Sequence, residues 1–534
     1  MKSNPNKLWI IVLALGWAFD YLVWQQEVGI NFAVFALLCL VAAFHVLLSD
    51  GLRPNRGSLI LLPISAFFAA VTFIRAEPMT AFLSFTFTLL TMTILALTYL
   101  GGRWMHYSLA DYAWKSLGLF ANMLARPTSF AVEARRRQSE SGTASSRFDF
   151  WPVLRGIAIA VPVVAIFAAL LSSADVVFGR RVEDFMELFR LEKLPEYIFR
   201  SIYILIAAYA IAGVILHAGS DSKDEKLLGE DKPLFPAFLG FIESGIILGS
   251  VVVLFAAFVV IQFQYFFGGN ANINVEGYTY SEYAVRGFGE LVTTAFLALC
   301  LLLGLSSITR RDSEFQRRAY SVLGAMLVGL LLVMLFSAYQ RLGLYEAVYG
   351  FSRLRTYTHV FLIWLGLLLV VTIVLEIMRR ERVFTLAMLV AAFGFAASLP
   401  ILNVDAFIVQ QNIQREVDGV ALGDEHRVDL DAQYFVELSD DAVPPLVKAF
   451  KDDSLEDDVR EQIGAALACI RHDNGYDERE FSWQSFHFAR FNAEKALDTV
   501  KKELDAYEVF DEEWPAIVTT PSGEDFQCWP YYYD

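Results

Sequence analysis

The chain has 534 residues, of which 56% are hydrophobic and only 19% are charged. Soluble domains are roughly 45–50% apolar and about 25% charged, so this composition excludes a soluble protein built around one large core. Charge is also uneven, because residues 402–534 hold 31 Asp and Glu against 11 Lys and Arg. The net charge of −16 therefore belongs to this tail. A strongly acidic tail repels phosphates, which argues against a nucleic-acid binder.

Eleven apolar runs are long enough to cross the hydrocarbon layer of a bilayer as helices. With a cytoplasmic N-terminus, the inside segments carry 21 Lys and Arg and the outside loops carry 9, as the positive-inside rule requires. We therefore expect an all-α, polytopic integral membrane protein of the cytoplasmic (inner) membrane, with an extracytoplasmic tail. The predicted spans cover residues 8–24, 28–48, 59–74, 79–100, 154–172, 200–217, 238–262, 288–308, 319–338, 356–378 and 383–401.

The pattern of spans and charges divides the chain into four segments. Residues 1–100 are predicted to form a four-span N-terminal unit, and residues 101–153 a basic cytoplasmic loop or linker. Residues 154–401 are predicted to form a seven-span membrane core. The acidic residues 402–534 show apolar positions at helical spacing. This last segment is therefore predicted to be a mostly helical extracytoplasmic domain.

The sequence contains no catalytic or metal-binding signature. It has no HExxH, no Gly-rich phosphate loop with Lys, no GxSxG and no CxxC pair. The seven histidines are scattered, with no two at metal-ligand spacing on one predicted helix. We therefore expect no bound metal, no cofactor and no catalytic residues, and an enzyme is the least favoured class of function.

The four cysteines fall into two pairs by location. Cys39 and Cys300 lie inside predicted spans, where cysteine acts as apolar filler. Cys469 and Cys528 lie in the tail, which the topology places in an oxidising compartment. A disulfide between these two would close a loop of about 60 residues and add about 4 kcal/mol in the chain-entropy model. The sequence alone leaves open whether they are joined.

Ionisable side chains inside predicted spans are costly to insert and are therefore candidates for function. Asp20 lies in the outer half of the first span, flanked by Phe19 and Tyr21. Glu243 lies near the inner end of the seventh span. Both are candidate intramembrane polar sites. The alternative is that each side chain reaches water at the nearby interface.

Two segments predicted at the outer face are rich in Arg, Glu and Tyr: GYTYSEYAVRGFGELV (277–292) and YQRLGLYEAVYGFSRLRTY (339–357). Residues four apart share one helix face, and Arg and Tyr recur every four residues in the second segment. Such arginines can pair with glutamates or bind an anionic group through two hydrogen bonds. The alternative is an aromatic belt with interfacial ion pairs. The candidate ligand-binding residues are Tyr283, Arg286, Glu290, Arg341, Tyr345, Glu346, Tyr349, Arg353 and Arg355.

The same segments carry a resemblance to a bacterial membrane-protein family. Residues 278–291 and 341–355, with NVDAFIVQQNI (403–413) and LDAQYFVELSDDAVPPL (430–446), are similar to hallmarks of a domain of unknown function (family 4173, allied to family 4153). The resemblance covers roughly residues 150–450. It implies a multi-spanning bacterial membrane protein and supplies no activity. It also implies that one constellation contains Arg286, Glu290, Arg341, Tyr345, Tyr349, Arg353, Arg355, Asp405 and Asn412.

Two functions are open at this point. In the first, the protein binds or transports an anionic solute or a lipid headgroup at the outer leaflet, where the arginines meet the anion. In the second, it is a non-enzymatic sensor or scaffold whose acidic tail binds an extracytoplasmic protein partner, and the Arg/Glu/Tyr cluster only latches the outer loops. An open charged cavity beside the cluster would favour the first function, whereas mutually satisfied side chains would favour the second.

Overall fold

The computed structural model describes residues 5–140, 160, 163–164, 166–168, 170–175, 177–181, 194–228, 237–267, 288–418, 430–476, 481–511 and 514–529. Two residues of the predicted cluster, Tyr283 and Arg286, lie outside the described residues, as does most of the fifth predicted span. Helices account for almost all of the regular structure in the part that is described.

Most of the predicted spans coincide with long apolar helices. Nine helices among the described residues are long and apolar enough to cross a membrane, namely all but the third and the fifth of the first eleven helices. The chain is therefore a mainly helical membrane protein. In chain order the helices are α1 (Pro5–Val23), α2 (Ile30–Ser49), α3 (Leu61–Ile74), α4 (Pro78–Leu97), α5 (Leu109–Glu140), α6 (Leu194–Ser220), α7 (Phe241–Phe267), α8 (Phe288–Ile308), α9 (Glu314–Tyr349), α10 (Arg353–Ile377), α11 (Phe384–Leu402), α12 (Val404–Asp418), α13 (Val443–Phe450), α14 (Asp457–Asp473), α15 (Phe488–Asp498) and α16 (Lys501–Leu504).

Two helices of the membrane region differ from the others. The third predicted span is α3, which has 14 residues and is about 21 Å long, short of the roughly 30 Å hydrocarbon layer. It packs against α4. The amphipathic α5 packs against α6, and a Cβ atom at Gly213 would lie only 2.3 Å from the Met123 carbonyl oxygen. The two helices thus cross at a glycine because no side chain fits there.

The membrane helices pack into two groups. One apolar core is shared by α1, α2, α4, α5 and α6, so α6 packs with the N-terminal helices although it falls within the predicted 154–401 core. A second apolar core is shared by α7, α8, α9 and α10. Between the groups lies α11, which packs against both α10 and α4. With 36 residues, α9 is about 54 Å long, so it projects beyond the hydrocarbon layer.

The tail is mostly helical and ends in a small sheet. Asn403, with a left-handed backbone (φ 56°), ends α11 and turns the chain into α12. After the tail helices come three short antiparallel strands in the order β1-β2-β3: β1 (Glu508–Phe510), β2 (Ile517–Thr519) and β3 (Asp525–Gln527). The sequence did not predict this sheet. Cys469 of α14 and Cys528 after β3 are joined by a disulfide and are both buried.

One apolar core joins the tail to the ends of the membrane helices. It contains Leu399 of α11 and Ile408 of α12 together with Phe435, Leu446 and Ile463 of the tail, all fully buried. Burying a side chain of this size stabilises a fold by about 1.5–3 kcal/mol. The tail is therefore packed onto the helical bundle and not merely tethered to it. We call the end of the bundle that the tail covers the tail-side end, and the other end the opposite end.

Candidate functional site

Arg353, the first residue of α10, is held by the tail. Its Nε and Nη2 donate to the two carboxylate oxygens of Asp405 at 2.8 and 2.6 Å. Asp405 is fully buried at the start of α12 and also accepts from the Ser439 N–H at 2.7 Å. The Tyr434 hydroxyl accepts from the Arg353 backbone N–H at 2.9 Å. A two-pronged pair with such additional hydrogen bonds satisfies both charges, so Arg353 connects the bundle to the tail.

Four further residues of the predicted cluster contact neighbours near the same corner. The buried Glu346 carboxylate lies 3.2 Å from Nδ1 of His359. The Arg355 guanidinium lies 4.3 Å from the centre of the Tyr345 ring and donates to the Tyr349 carbonyl oxygen at 3.2 Å. The Tyr345 and Tyr349 rings are 4.7 Å apart. The contacts of Glu346 with His359 and of Arg355 with Tyr345 and Tyr349 join the end of α9 to the start of α10.

Asn412 holds the corner between α9 and α10 from the α12 side. Its Oδ1 accepts from the Phe351 N–H at 2.7 Å, and its Nδ2 donates to the Phe351 carbonyl at 3.0 Å. Asp405 stands seven residues earlier on α12, and residues seven apart share one helix face. One face of α12 thus binds the corner through both residues. Elsewhere in the predicted cluster, Arg341 is half-buried on α9 and Glu290 is exposed in the first turn of α8.

A second ion pair, which the sequence reasoning missed, joins the α3–α4 turn to the tail. Arg75 Nη1 donates to Asp441 Oδ1 at 3.1 Å, and the Ala76 N–H donates to Asp441 Oδ2 at 2.7 Å. Arg75 Nε also donates to the Pro400 carbonyl at 3.0 Å. Burial raises the pKa of the Asp441 carboxyl, and the hydrogen bonds from Ala76 and Arg75 oppose that rise. A lone arginine between two apolar helices is the signal that could have identified this contact.

The turn between α1 and α2 makes a third contact with the tail. The Ile30 N–H donates to the Phe486 carbonyl at 2.9 Å, and Arg490 Nη2 donates to a Glu27 carboxylate oxygen at 3.0 Å. A Cβ atom at Gly29 would lie 2.6 Å from the Phe486 carbonyl oxygen. Only glycine permits this approach of the two backbones. The tail is thus held at three separate turns of the bundle.

The two predicted intramembrane carboxylates have different environments. Asp20 is buried and accepts from Nε and Nη2 of Arg200 in α6 at 2.9 and 2.5 Å. The Arg200 guanidinium also lies 5.3 Å from the Trp24 ring centre. Glu243 accepts from the Gly240 N–H at 2.7 Å, beside the start of α7. The first carboxylate forms an ion pair between α1 and α6, and the second caps a helix N-terminus.

A polar groove lies where α12 meets α13 and α15 of the tail. Its volume is about 1070 Å³, at the upper end of ligand pockets, which measure about 300–1,000 Å³. Arg75 and Asp441 form part of its wall, so the second ion pair fixes one side of the groove. The other polar side chains on the wall belong to Asn403, Gln410, Gln411, Gln414, Asp440, Lys448, Asp452, Ser454, Asn492, Lys495 and Thr499.

Several polar groups on the groove wall have no hydrogen-bond or salt-bridge partner among the residues that the structure describes. The side-chain amides of Gln410, Gln411 and Asn492 form no hydrogen bond with any residue that the structure describes, and Lys448 and Lys495 form no salt bridge there. Each amide offers donors and an acceptor, and each ammonium offers three donors. Within the described part of the chain, no aromatic ring lines the groove. The described wall therefore presents amides and charged groups of both signs.

The fold and these contacts define a class of protein: a helical polytopic membrane protein whose C-terminal segment is fixed to the helical bundle by ion pairs and a shared apolar core. A family model described as a domain of unknown function (DUF4153) matches residues 62–449. This match runs from α3 into α13 and covers most of the chain, so the chain belongs to that family. The match begins well before residue 150, where the resemblance noted in the sequence began. No curated protein and no solved structure matches the chain.

Proposed function

We propose that this protein is a membrane-anchored, non-enzymatic scaffold or receptor whose tail binds an extracytoplasmic protein partner in the polar groove. The observation that carries the proposal is a large groove whose wall holds amides and lysines that form no hydrogen bond or salt bridge, respectively, with the described part of the chain. If the only role of this space were to join α12 to the rest of the tail, we would expect protein side chains to fill it. The amides and lysines on its wall are instead exposed or half-buried, so an occupant can replace the water that they bind.

The proposed occupant is an extended polypeptide segment with at least one carboxylate. Side-chain amides such as those of Gln411 and Asn492 can pair with both the N–H and the C=O of a peptide group. Lys448 and Lys495 can meet an acidic side chain or a C-terminal carboxylate. A groove of about 1070 Å³ also suits several residues of a chain better than one small solute.

We further propose that the opposite end faces the cytoplasm and the tail-side end faces away from it. All five described loops at the opposite end, residues 50–60, 98–108, 221–228, 309–313 and 378–383, contain Lys or Arg. Of the three short tail-side turns, residues 24–29, 75–77 and 350–352, only the one at Arg75 does. The predicted outside loop 173–199 adds Arg180 and Arg181 among the described residues. Lys and Arg concentrate on the cytoplasmic side of membrane proteins. The partner would then be an extracytoplasmic protein.

The contacts of the predicted cluster favour this function over the binding of an anion at the outer leaflet. Arg353 already donates to a buried carboxylate, and Arg355 donates to backbone carbonyls and lies over a tyrosine ring. An arginine satisfied in this way has little capacity left for a ligand. Tyr283 and Arg286 lie outside the described residues, so an anion site that includes them stays a prediction.

The test uses site-specific photo-crosslinking in membranes that contain the full-length chain. A benzophenone side chain is placed at Gln411 in the groove, or at the exposed Asp458 of α14 as the control. Irradiation is expected to give a protease-sensitive, protein-sized adduct at position 411 and none at position 458. Lys448→Gln/Lys495→Gln should lower the yield about fivefold, since two exposed ion pairs contribute about 1 kcal/mol together.

Three outcomes would contradict the proposal. One is the absence of any protein adduct at position 411. Another is an adduct that resists protease and is extracted with lipid, which would assign the groove to a lipid. The third is a protein adduct whose yield is the same in the wild-type background and in the double lysine variant. Thermal unfolding of each variant checks that the tail has kept its fold.

A further inference from the structure

A second cavity lies at the opposite end of the bundle, remote from the tail. Its volume is about 700 Å³, and it is bounded by the start of α9 and the ends of α8 and α10. Four arginines line it, Arg311, Arg317, Arg318 and Arg379, against one carboxylate, Glu376. Positive charge therefore predominates on its wall.

One of the four arginines is fixed by the protein. Arg311 Nη1 donates to Glu376 at 2.7 Å, and its Nη2 donates to the Ser306 carbonyl at 2.6 Å. Its guanidinium also lies 4.7 Å from the centre of the buried Tyr320 ring. This network neutralises Glu376, the one carboxylate on the wall. Arg317 and Arg318 form no salt bridge with a carboxylate in the described part of the chain, although Arg317 Nε donates to the Arg311 carbonyl at 3.0 Å.

The other three arginines are at the exposed mouth of the cavity. Arg317 and Arg318 are exposed, and Arg318 has no salt-bridge partner among the residues that the structure describes. Arg379 pairs with Glu314, but both side chains are more than half exposed, and exposed pairs of this kind are weak and easily exchanged. Guanidinium groups converging on one opening are the arrangement that binds phosphate oxygens.

The cavity also has an apolar side. Val322, Ala325 and Ile377 line it, and Val322 and Ile377 are 58% and 62% exposed on the outer surface of membrane-crossing helices. Such aliphatic surface beside a cluster of arginines matches the division of a phospholipid into an anionic headgroup and acyl chains. Basic pockets between membrane helices on the cytoplasmic side are known to bind anionic headgroups.

We propose that this cavity binds a phosphate-bearing anion, either the headgroup of an anionic phospholipid or a free phosphate ester. The site is separate from the groove under the tail, so its failure and the failure of the proposed function are distinguishable. Arg317 and Arg318 would contact the phosphate oxygens directly. Arg311, held by Glu376, would supply fixed positive charge behind them, and Val322 and Ala325 would contact an acyl chain when the anion is a lipid.

The test is native mass spectrometry of the full-length protein in detergent, titrated with dioctanoyl-phosphatidylglycerol, dioctanoyl-phosphatidylcholine or glycerol 1-phosphate. We expect Arg317→Gln/Arg318→Gln to weaken binding of phosphatidylglycerol by about tenfold to thirtyfold. The matched control is Arg53→Gln/Arg56→Gln, which removes two exposed arginines from another loop at the same end. It is expected to leave binding unchanged. Because the arginines replaced in the two variants are all exposed, neither variant is expected to unfold the protein.

The ligands and a third variant separate the two sources of phosphate. Binding of phosphatidylglycerol but not glycerol 1-phosphate supports a lipid site, and Ala325→Leu should then weaken it by filling the apolar wall. Binding of glycerol 1-phosphate with similar affinity, insensitive to Ala325→Leu, supports a site for a soluble phosphate ester. Equal binding of phosphatidylcholine and phosphatidylglycerol overturns the proposal. So does an equal effect of the two double-arginine variants, or no binding of any of the three compounds.

Discussion

The two ends of the bundle use the same residue types for different purposes. At the tail-side end, Arg353 and Arg75 each face a buried aspartate that another part of the chain supplies, Asp405 and Asp441. At the opposite end, four arginines and a single glutamate surround a cavity. The number of arginines is thus no guide to their role. The two ends differ in whether each guanidinium forms a salt bridge with a buried carboxylate.

We propose that this difference determines which end of the bundle can bind an anion. A guanidinium that donates to both oxygens of a buried carboxylate has exchanged its water for a fixed partner. A ligand would have to displace that partner and leave a buried charge unpaired. An exposed arginine such as Arg318 loses only water when it meets a phosphate. The tail-side end should therefore respond to substitutions through stability, and the opposite end through ligand affinity.

The largest effect on the tail-side end is expected from removal of the disulfide. Cys469→Ala/Cys528→Ala opens a loop that spans a sequence separation of 59, which should lower the free energy of unfolding of the tail by about 4 kcal/mol. Pulse proteolysis in urea, read on the tail, measures this loss. Binding of phosphatidylglycerol at the opposite end should not change.

The matched control for this variant is Cys39→Ala/Cys300→Ala, which removes the two free cysteines of the described chain. It is expected to lower the free energy of unfolding by much less than the disulfide variant does, since neither cysteine is fully buried. A disulfide variant as stable as this control would show that the bridge does not constrain the tail. Loss of phosphatidylglycerol binding in the disulfide variant would show that the two ends are coupled.

A somewhat smaller loss is expected from Asp405→Asn. The substitution keeps the shape of the side chain but leaves Arg353 without its ionised partner, which costs about 3 kcal/mol for a buried pair. The midpoint of urea unfolding measures the loss. The control is Asp458→Asn, which changes an exposed carboxylate of the tail and should have little effect.

Replacing both partners sharpens the same experiment. Arg353→Met/Asp405→Leu removes both charges together, and buried ion pairs replaced by apolar residues often retain stability. We expect the double variant to be more stable than Asp405→Asn alone. A double variant less stable than the single one would indicate that each residue acts through other contacts, such as those of Asp405 with the Ser439 N–H.

The membrane helices could be predicted from sequence because hydropathy is a local signal. Runs such as 356–378 and 383–401 fall within one or a few residues of α10 and α11. The sheet could not be predicted in this way, because strands of three residues are too short to show alternation. Likewise α3 has an apolar composition but too few residues to cross by itself.

The latch could be predicted only in part, because its partners are distant in sequence. The fourfold spacing of arginines and tyrosines singled out Arg353, whereas its partner Asp405, 52 residues further on, was grouped with it only through the family resemblance. Asp441 was hidden among the 31 acidic residues of the tail, since sequence does not tell which carboxylate is buried. The groove was missed altogether because its amides come from separate helices.

A smaller effect is expected on the pH dependence of stability at the tail-side end. His487 is buried where the tail meets α3, and burial lowers its pKa below 6.5, while Asp440 and backbone hydrogen bonds to Arg75 and Thr72 oppose the shift. The folded protein then keeps the imidazole neutral while the unfolded chain binds a proton below about pH 6.5. This contribution to stability is present above that pH and is lost as the pH falls.

The measurement is the urea midpoint of the tail between about pH 7.5 and pH 5. His487→Gln, which keeps a side-chain donor, should lose less stability on acidification than the wild type. His106→Gln alters an exposed histidine at the opposite end and should follow the wild-type curve. Parallel curves for all three proteins would exclude His487 as a source of acid sensitivity. The raised pKa of Asp441 acts in the opposite sense, so only the difference between the curves is interpreted.

The smallest effect on stability, and the sharpest contrast between the ends, is expected from Glu314→Gln. Glu314 pairs with Arg379 on the exposed surface beside the arginine-lined cavity. Its removal should leave the urea midpoint unchanged, because exposed ion pairs contribute little. It should nevertheless strengthen binding of phosphatidylglycerol severalfold, since Arg379 becomes available to the phosphate and a nearby negative charge is lost. Asp405→Asn is expected to do the reverse, lowering stability without raising anion affinity. If Glu314→Gln and Asp405→Asn changed stability and phosphatidylglycerol affinity in the same way, pairing with a buried carboxylate would not distinguish a structural arginine from a ligand-binding arginine.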